Sequence, residues 1–198
     1  MVWRALFGLF YGDMLMLLYN QVRPYEALRG ETEECRQRWI LRLSEDLKQG
    51  TRLSIHRMKN NFYRMAADFA QISRTGKKKQ RIGIVGELYI KYCHMGNWNL
   101  VQTLLEEGCE SHTNGLSWYA LYYMDTHLAQ ADTFTAMLYR VGMRFFEGLQ
   151  KEMIRALQKY HFYTLPEFSV LKKEAEGYVS YRDTIGDGWH GSCPRDRS

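Results

Sequence analysis

The residues best placed to do chemistry follow a short apolar run near the middle of the chain. The run Arg81-Ile-Gly-Ile-Val-Gly86 is compact and ends in glycine, which is typical of a buried parallel strand. Glu87, Tyr89 and Lys91 come directly after it. Because ligands in open α/β sheets bind beyond the carboxyl ends of the strands, these three side chains are predicted to contact a substrate or a partner subunit. A solvated loop is the alternative interpretation.

Two asparagines, Asn97 and Asn99, stand at the predicted start of the next helix. An asparagine at this position most simply caps the helix, and only secondarily binds an anion or a thioester. The glycines of the region do not have the G-x-G-x-x-G spacing, and the chain contains no G-x-x-x-x-G-K-S/T phosphate loop. Nucleotide binding is therefore not expected here.

The cysteines do not form a recognisable ligand set. Cys35, Cys93, Cys109 and Cys193 lie far apart with no C-x-x-C pair, which favours a reducing cytoplasm over a disulfide framework. His94 adjoins Cys93, but neighbouring residues of one loop rarely supply two metal ligands. No metal site is predicted, and the absence of a G-x-S-x-G motif leaves hydrolase chemistry without support.

Three helices are predicted before the first strand. Apolar side chains recur at spacings of three and four over residues 3–19, 32–47 and 53–73. Asp13, in the middle of the first helix, argues against a signal peptide or a membrane span. Arg23 precedes Pro24 and is pushed out of the helical region, so the first helix should end there. Thr32 is predicted to cap the second helix with its hydroxyl group.

A β-α-β unit is predicted next. Its parts are a strand at 81–86, a loop at 87–96, a helix at 97–107 and a second strand at 109–114. Further helices are predicted at 116–128, 131–160 and 166–176, the last with Pro166 at its first helical position.

The positive charge of the chain is local. The formal net charge is +5, and the excess is concentrated in a short run of residues, Arg74, Lys77, Lys78, Lys79 and Arg81, with a smaller cluster at the C-terminal end. Such a run is predicted to attract polyanions weakly and in a salt-sensitive way, without specific binding to nucleic acid.

Three segments carry a resemblance to a known family. The run RIGIVGELYIKYCHMGNWNLVQTLLEEGCE, residues 81–110, resembles a signature of the 2-hydroxyacyl-CoA dehydratase and benzoyl-CoA reductase superfamily, in the activase-associated branch labelled CoA-substrate-specific enzyme activase or 2-hydroxyglutaryl-CoA dehydratase-related protein. Gly12-Asp-Met-Leu15, followed by Arg23-Pro-Tyr-Glu26 and Gly30-Glu-Thr32, looks like the segment upstream of it. Gly186-Asp-Gly-Trp189 looks like a downstream glycine-tryptophan turn.

The resemblance implies a fold, a chemistry and partners. The fold is α/β, a helix-rich fragment of a Rossmann-like open parallel sheet preceded by a three-helix region. The chemistry is anaerobic: an ATP-dependent activator or sister subunit delivers an electron, and a [4Fe-4S] cluster of the full-length family acts on an acyl-CoA thioester. None of Cys35, Cys93 and Cys109 matches a family ligand position, so no cofactor is expected in this chain. Gly186, Gly188 and Trp189 are implied to form a turn near the site and to contact a substrate or a partner subunit.

Both ends depart from the family pattern, because relatives start well before Met1 and continue after the glycine-tryptophan turn. We therefore expect a fragment that is inactive alone, with a helical region at 1–76, an incomplete α/β domain at 77–189 and an irregular tail at 190–198. Arg23, Pro24, Tyr25 and Glu26 are predicted to form a structural turn, with a salt bridge across the boundary between the two regions.

The apolar stripe of the first helix lacks the upstream domain on which it would pack in relatives. The helix is predicted either to fold back onto the helix at 53–73 or to drive self-association. The alternative to an enzyme component is a non-catalytic α/β module that docks a redox partner through the N-terminal helices and the loop at 87–96. In either case we expect a cytoplasmic protein without a membrane partner.

Overall fold

A computed structural model of the chain describes residues 2–50, 53–128 and 131–175. This part of the chain is a helix-rich α/β fold, as predicted. The elements in chain order are α1 (Val2–Val22), a 3-10 helix (Arg23–Tyr25), α2 (Glu31–Gln49), α3 (Ile55–Ala70), β1 (Arg81–Ile84), α4 (Leu88–Tyr92), α5 (Leu100–Glu106), β2 (Glu110–Thr113), α6 (Leu116–Leu128), α7 (Thr133–Lys159) and α8 (Phe168–Ala175).

The hydrophobic core is built around α1, which packs against α2, α3, α6, α7 and β2. Phe10 is fully buried, and its ring contacts Phe62 of α3 and Phe146 of α7, with centroids 6.5 and 5.7 Å away. Asn61 of α3 donates a hydrogen bond to the Tyr11 hydroxyl at 3.0 Å. Of the two predicted outcomes for the apolar stripe, α1 therefore takes the first and folds back onto α3.

The two strands form a parallel pair with Arg81 opposite Glu110 and Ile84 opposite Thr113. All four residues of β2 are buried, because α1 covers this strand, whereas β1 is largely exposed. Glu110 N–H donates to the carbonyl of Gln80, so the backbone groups of residues 80, 82 and 84 face β2 and those of 81 and 83 face away. Within the described residues, the outer edge of β1 is thus an open sheet edge.

Three element boundaries differ from the predictions for local reasons. The predicted loop at 87–96 contains a short helix, α4, because the Glu87 carboxylate caps it by accepting from the Tyr89 and Ile90 amides. The helix predicted from residue 97 begins at Leu100, because Trp98 and Asn99 have positive φ. The helix predicted from residue 166 begins at Phe168, whose amide donates to Gln150 Oε1 at 3.0 Å.

The cap of α2 also differs from the prediction. The helix begins at Glu31, so Thr32 lies inside it and does not cap it. The Glu26 carboxylate takes that role, because it accepts from the amides of Gly30 and Thr32 at 2.9 and 3.0 Å. Gly50, at φ 69°, ends the helix as predicted.

An 18-residue window within the segment Val2–Tyr25 has a mean hydropathy of 1.2, so this segment is long and apolar enough to cross a membrane by length and composition alone. Half of that window is buried inside the protein, and the core helices of soluble proteins meet the same criterion. This feature of α1 is weak evidence for a membrane span.

Candidate binding site at the carboxyl end of the sheet

Asp13 is the most unusual side chain near the end of β2. It lies on the apolar helix α1 and is only 2% exposed. Its carboxylate accepts hydrogen bonds from the amides of Leu116 and Ser117, both at 2.7 Å, and so caps α6 from a distant part of the chain. Gly115 precedes that cap, and a Cβ there would lie 2.4 Å from Asp13 Oδ2. A side chain at position 115 would therefore overlap the Asp13 carboxylate, and glycine avoids this overlap.

Lys91 brings a positive charge to the same place. Burial raises the pKa of Asp13, while the two amide hydrogen bonds and the charge of Lys91 lower it. Lys91 lies on α4 and is half-buried, which lowers its pKa, and the charge of Asp13 opposes that change. The predicted site residue Lys91 therefore lies close enough to the buried Asp13 carboxylate for each charge to affect the pKa of the other.

Tyr92 connects α4 to the segment after β2. Its hydroxyl donates a hydrogen bond to the carbonyl of Asn114. Burial, together with the charge of Asp13, raises the pKa of Tyr92. We name Asp13, Lys91 and Tyr92 the strand-end cluster, because the charge of Asp13 acts on the other two groups and the hydrogen bonds of Asp13 and Tyr92 both reach the segment after β2.

The other predicted site residues near β1 hold the local backbone. Glu87 caps α4, as described above. Asn97 accepts from the Leu100 amide at 3.3 Å and donates to the Lys91 carbonyl at 3.4 Å, so it links the start of α5 to the strand-end cluster. Asn99 Oδ1 lies 3.0 Å from His94 Nδ1 within the same loop.

Large apolar side chains are exposed around this loop. Met95 is 87% exposed and Trp98 is 89% exposed, and Val85, Tyr89 and Ile90 also face solvent. Trp98 and Asn99 both have positive φ, a conformation that costs free energy in residues other than glycine. We name these five apolar residues, Val85, Tyr89, Ile90, Met95 and Trp98, the apolar loop surface.

The described cysteines do not form a metal site. Cys35 is buried in the helical core, and burial raises its pKa. A hydrogen bond from Tyr89 lowers the pKa of Cys93, and Cys109 lies just before β2. No group of three or more His, Cys, Asp or Glu side chains in the described part of the chain could hold a metal ion. The described residues therefore do not fit the [4Fe-4S] cluster that the family resemblance implies.

The turn at residues 23–26 lies at the other end of the sheet. Arg23 pairs with Glu26 at 3.4 Å, and the Tyr25 carbonyl accepts from the Thr75 amide at 2.7 Å. The Tyr25 hydroxyl donates to Glu110 Oε2 at 2.8 Å, which attaches the turn to the first residue of β2. The turn thus connects α1 and α2 to the amino end of the sheet.

Sequence reasoning missed two members of the strand-end cluster, Asp13 and Tyr92. In the sequence, Asp13 disfavours a membrane span and belongs to the segment Gly12 to Leu15, and neither observation predicts a site. A lone carboxylate within an apolar helix is nevertheless a signal of a buried partner. Gly186, Gly188 and Trp189, together with the predicted tail at 190–198, lie outside the described residues.

Comparisons with protein-family models, with curated proteins and with solved structures find no match for this chain.

Proposed function

We propose that the chain is a cytoplasmic component of a 2-hydroxyacyl-CoA dehydratase-like system that binds an acyl-CoA thioester and is inactive alone. The observation that carries the proposal is the position of Lys91. Its half-buried ammonium group stands at the carboxyl end of a parallel sheet, the place where α/β folds bind ligands, and the apolar loop surface lies beside it.

The chemistry of this place suits a thioester. A half-buried ammonium group donates a stronger hydrogen bond to a carbonyl oxygen than an exposed one, because water competes less for it. Met95 and Trp98 offer an apolar surface to the acyl chain. The charge of Asp13 opposes the lowering of the Lys91 pKa by burial. The chain's own residues thus bind and orient the thioester.

The arrangement of the motif segments supports the same proposal. Asp13, from the segment Gly12 to Leu15, contacts the start of α6 directly after β2. Tyr25 contacts Glu110, the last residue of the long signature run. Two of the three segments that carry the resemblance therefore contact each other or adjoining residues at the two ends of one β-α-β unit. The open edge of β1 leaves room for the further strands of a Rossmann-like sheet.

The iron-sulfur cluster belongs to the rest of the proposed system. Since the described residues do not fit a [4Fe-4S] cluster, no step of this proposal passes through one. The electron and the cluster would come from an ATP-dependent activator or a sister subunit. The chain alone would lack both, and for this reason we propose that it is inactive alone.

A second candidate function is a non-catalytic module that docks a redox partner. The exposure of Tyr89, Met95 and Trp98 favours it, because an apolar loop of this kind also suits a protein surface. In that case the N-terminal helices and the loop at 87–96 would form the contact, and no thioester would bind.

Calorimetric titration with butyryl-CoA, a saturated acyl-CoA, tests the proposal, with free CoA as the ligand control. We expect the thioester to bind more tightly than free CoA. Lys91→Met should raise the Kd about tenfold or more, because a hydrogen bond from a charged group contributes about 1.5 to 3 kcal/mol. Lys48→Gln removes an exposed lysine elsewhere and should leave the Kd unchanged.

Two results would contradict the proposal and would point to the docking module. One is the absence of binding by butyryl-CoA to a folded wild-type chain. The other is equal binding by the wild type and by a Lys91→Met variant whose thermal unfolding shows that it is folded.

A further inference from the structure

The first half of α7 exposes an apolar stripe. Phe134, Leu138, Val141 and Phe145 follow each other at spacings of four, three and four, and Met137 adjoins them. All five are exposed, Phe134 to 71%. Spacings of three and four place side chains on one face of a helix. The second half of the same helix is different, because its apolar side chains Leu149, Met153 and Leu157 are buried in the core.

The first helix enlarges this stripe. The Trp3 ring of α1, itself 56% exposed, contacts Phe145 edge to face at 5.9 Å. Six large side chains, each leaving on the order of 100 Å² exposed, reach the upper end of the range for the largest apolar patch of a typical monomeric protein, about 300 to 600 Å². Such a surface indicates a binding partner.

Two arginines give the stripe a charged edge. Arg140 and Arg144 are exposed and one turn apart, and helical periodicity places both on the Met137 side of the stripe. Neither has an ion-pair partner among the described residues. From residue 133 to residue 148, Glu147 is the single acidic residue. The edge is therefore positively charged and available for pairing.

We propose that this surface binds an amphipathic helix of another protein, with apolar residues at heptad spacing and aspartate or glutamate along the edge that faces Arg140 and Arg144. The stripe supplies the apolar seam of a helix pair, and the arginines select the partner by charge. This interaction is separate from the strand-end cluster and does not depend on thioester binding.

A second copy of the chain fits the surface less well than an acidic partner. In an antiparallel pair related by a two-fold axis, an edge of the helix in one copy faces the same edge of the helix in the other copy. Arg140 and Arg144 of one copy would then oppose the same arginines of the other copy. Like charges in that position are unfavourable, and the net charge of +5 on each chain adds to the repulsion.

Two synthetic helical peptides test the proposal by fluorescence anisotropy. Both carry leucine at the a and d positions of four heptads, and their e and g positions are all glutamate in one and all lysine in the other. We expect the full chain to bind the glutamate peptide at least about tenfold more tightly than the lysine peptide. Arg140→Glu combined with Arg144→Glu should reverse that preference, and Val141→Asp should abolish binding of both.

Light scattering of the free chain completes the experiment. A dimer that Val141→Asp converts to a monomer would overturn the proposal in favour of a second copy. A monomer that binds neither peptide would overturn it too, as would equal binding of both peptides or a double arginine variant with unchanged preference. All three substitutions change exposed side chains, so folding of each variant is expected and is checked by thermal unfolding.

Discussion

Asp13 lies among large apolar side chains because α6 begins inside the protein. The first amides of a helix have no partner within that helix; here Leu116 is partly buried and Ser117 is fully buried. A carboxylate on α1 satisfies both amides at once. The residue is therefore a structural cap that also sets the electrostatic environment of Lys91.

Replacing Asp13 tests this role. Asp13→Ala should lower the free energy of unfolding by about 3 kcal/mol, because two buried amides lose their acceptor. Asp13→Asn keeps one acceptor oxygen and removes the buried charge, so it should lower the free energy of unfolding by less, about 1 kcal/mol. Urea unfolding with linear extrapolation measures both values. An alanine variant as stable as the wild type would show that the carboxylate does not support α6.

The Asp13→Asn variant also tests how the stability of the protein depends on pH. Burial raises the pKa of Asp13 above its ordinary value of 3.8, so folding favours the protonated form. The resulting stabilisation is fully present below pH 3.8 and is lost as the pH rises through the folded pKa. Because asparagine does not titrate, the stability advantage of the wild type over Asp13→Asn should decline over that window. An advantage that grows with pH would contradict the raised pKa.

At the scale of elements, α1 is the helix on which the others assemble. It contacts α2, α3, α6 and α7 together with β2, so its apolar face joins the helical region to the sheet. Phe10 lies at the centre, between rings from α3 and α7. By contrast, α7 divides into a buried second half and an exposed first half, which is why only the first half is available to a partner.

Truncating Phe10 should destabilise the whole fold. Phe10→Ala removes a fully buried ring and leaves a cavity, which costs about 3 to 5 kcal/mol. Leu41→Ala on α2 is the matched control, because Leu41 is 71% exposed and its loss should change stability by less than about 0.5 kcal/mol. Thermal and urea unfolding of the two variants would measure the difference. Equal stability of both would mean that α1 is not part of the core.

At the scale of the whole molecule, the cysteines decide whether the chain could do redox chemistry alone. Cys35, Cys93 and Cys109 lie on α2, after α4 and before β2, and no described group brings three ligands together. The sequence spacing does not place Cys193 within a ligand motif. A cluster held by one chain needs four ligands, usually all cysteine thiolates.

Anaerobic reconstitution with iron and sulfide tests this point. We expect no stoichiometric cluster on the isolated chain, because the three described cysteines do not come together and Cys193 belongs to no ligand motif of the sequence. Iron analysis and the visible absorption spectrum measure how much cluster the chain holds. The variant Cys93→Ser distinguishes adventitious thiol-bound iron from a built site. About four irons per chain with the broad absorption of a [4Fe-4S] cluster would contradict the prediction, and with it our proposal that a partner supplies the cluster.

The sequence by itself determined the long helices and the β-α-β unit, but not the short helix α4. Apolar spacing predicted α1, α2 and α3, and it predicted α6 at residues 116–128 as the structure has it. The short apolar run before Gly86 predicted β1, and the parallel pairing with β2 followed from the helix between them. These features depend on periodicity within about a dozen residues, which a linear reading detects.

Only the tertiary structure decided the site. The hydrogen bonds of Asp13 join α1 to Leu116 and Ser117, about a hundred residues away, and no local pattern encodes that pairing. The same is true of Tyr25 with Glu110 and of Tyr92 with Asn114. Polar groups buried at the end of a sheet take whichever partner the packing of distant elements brings within reach, so their roles emerge only once the chain has folded.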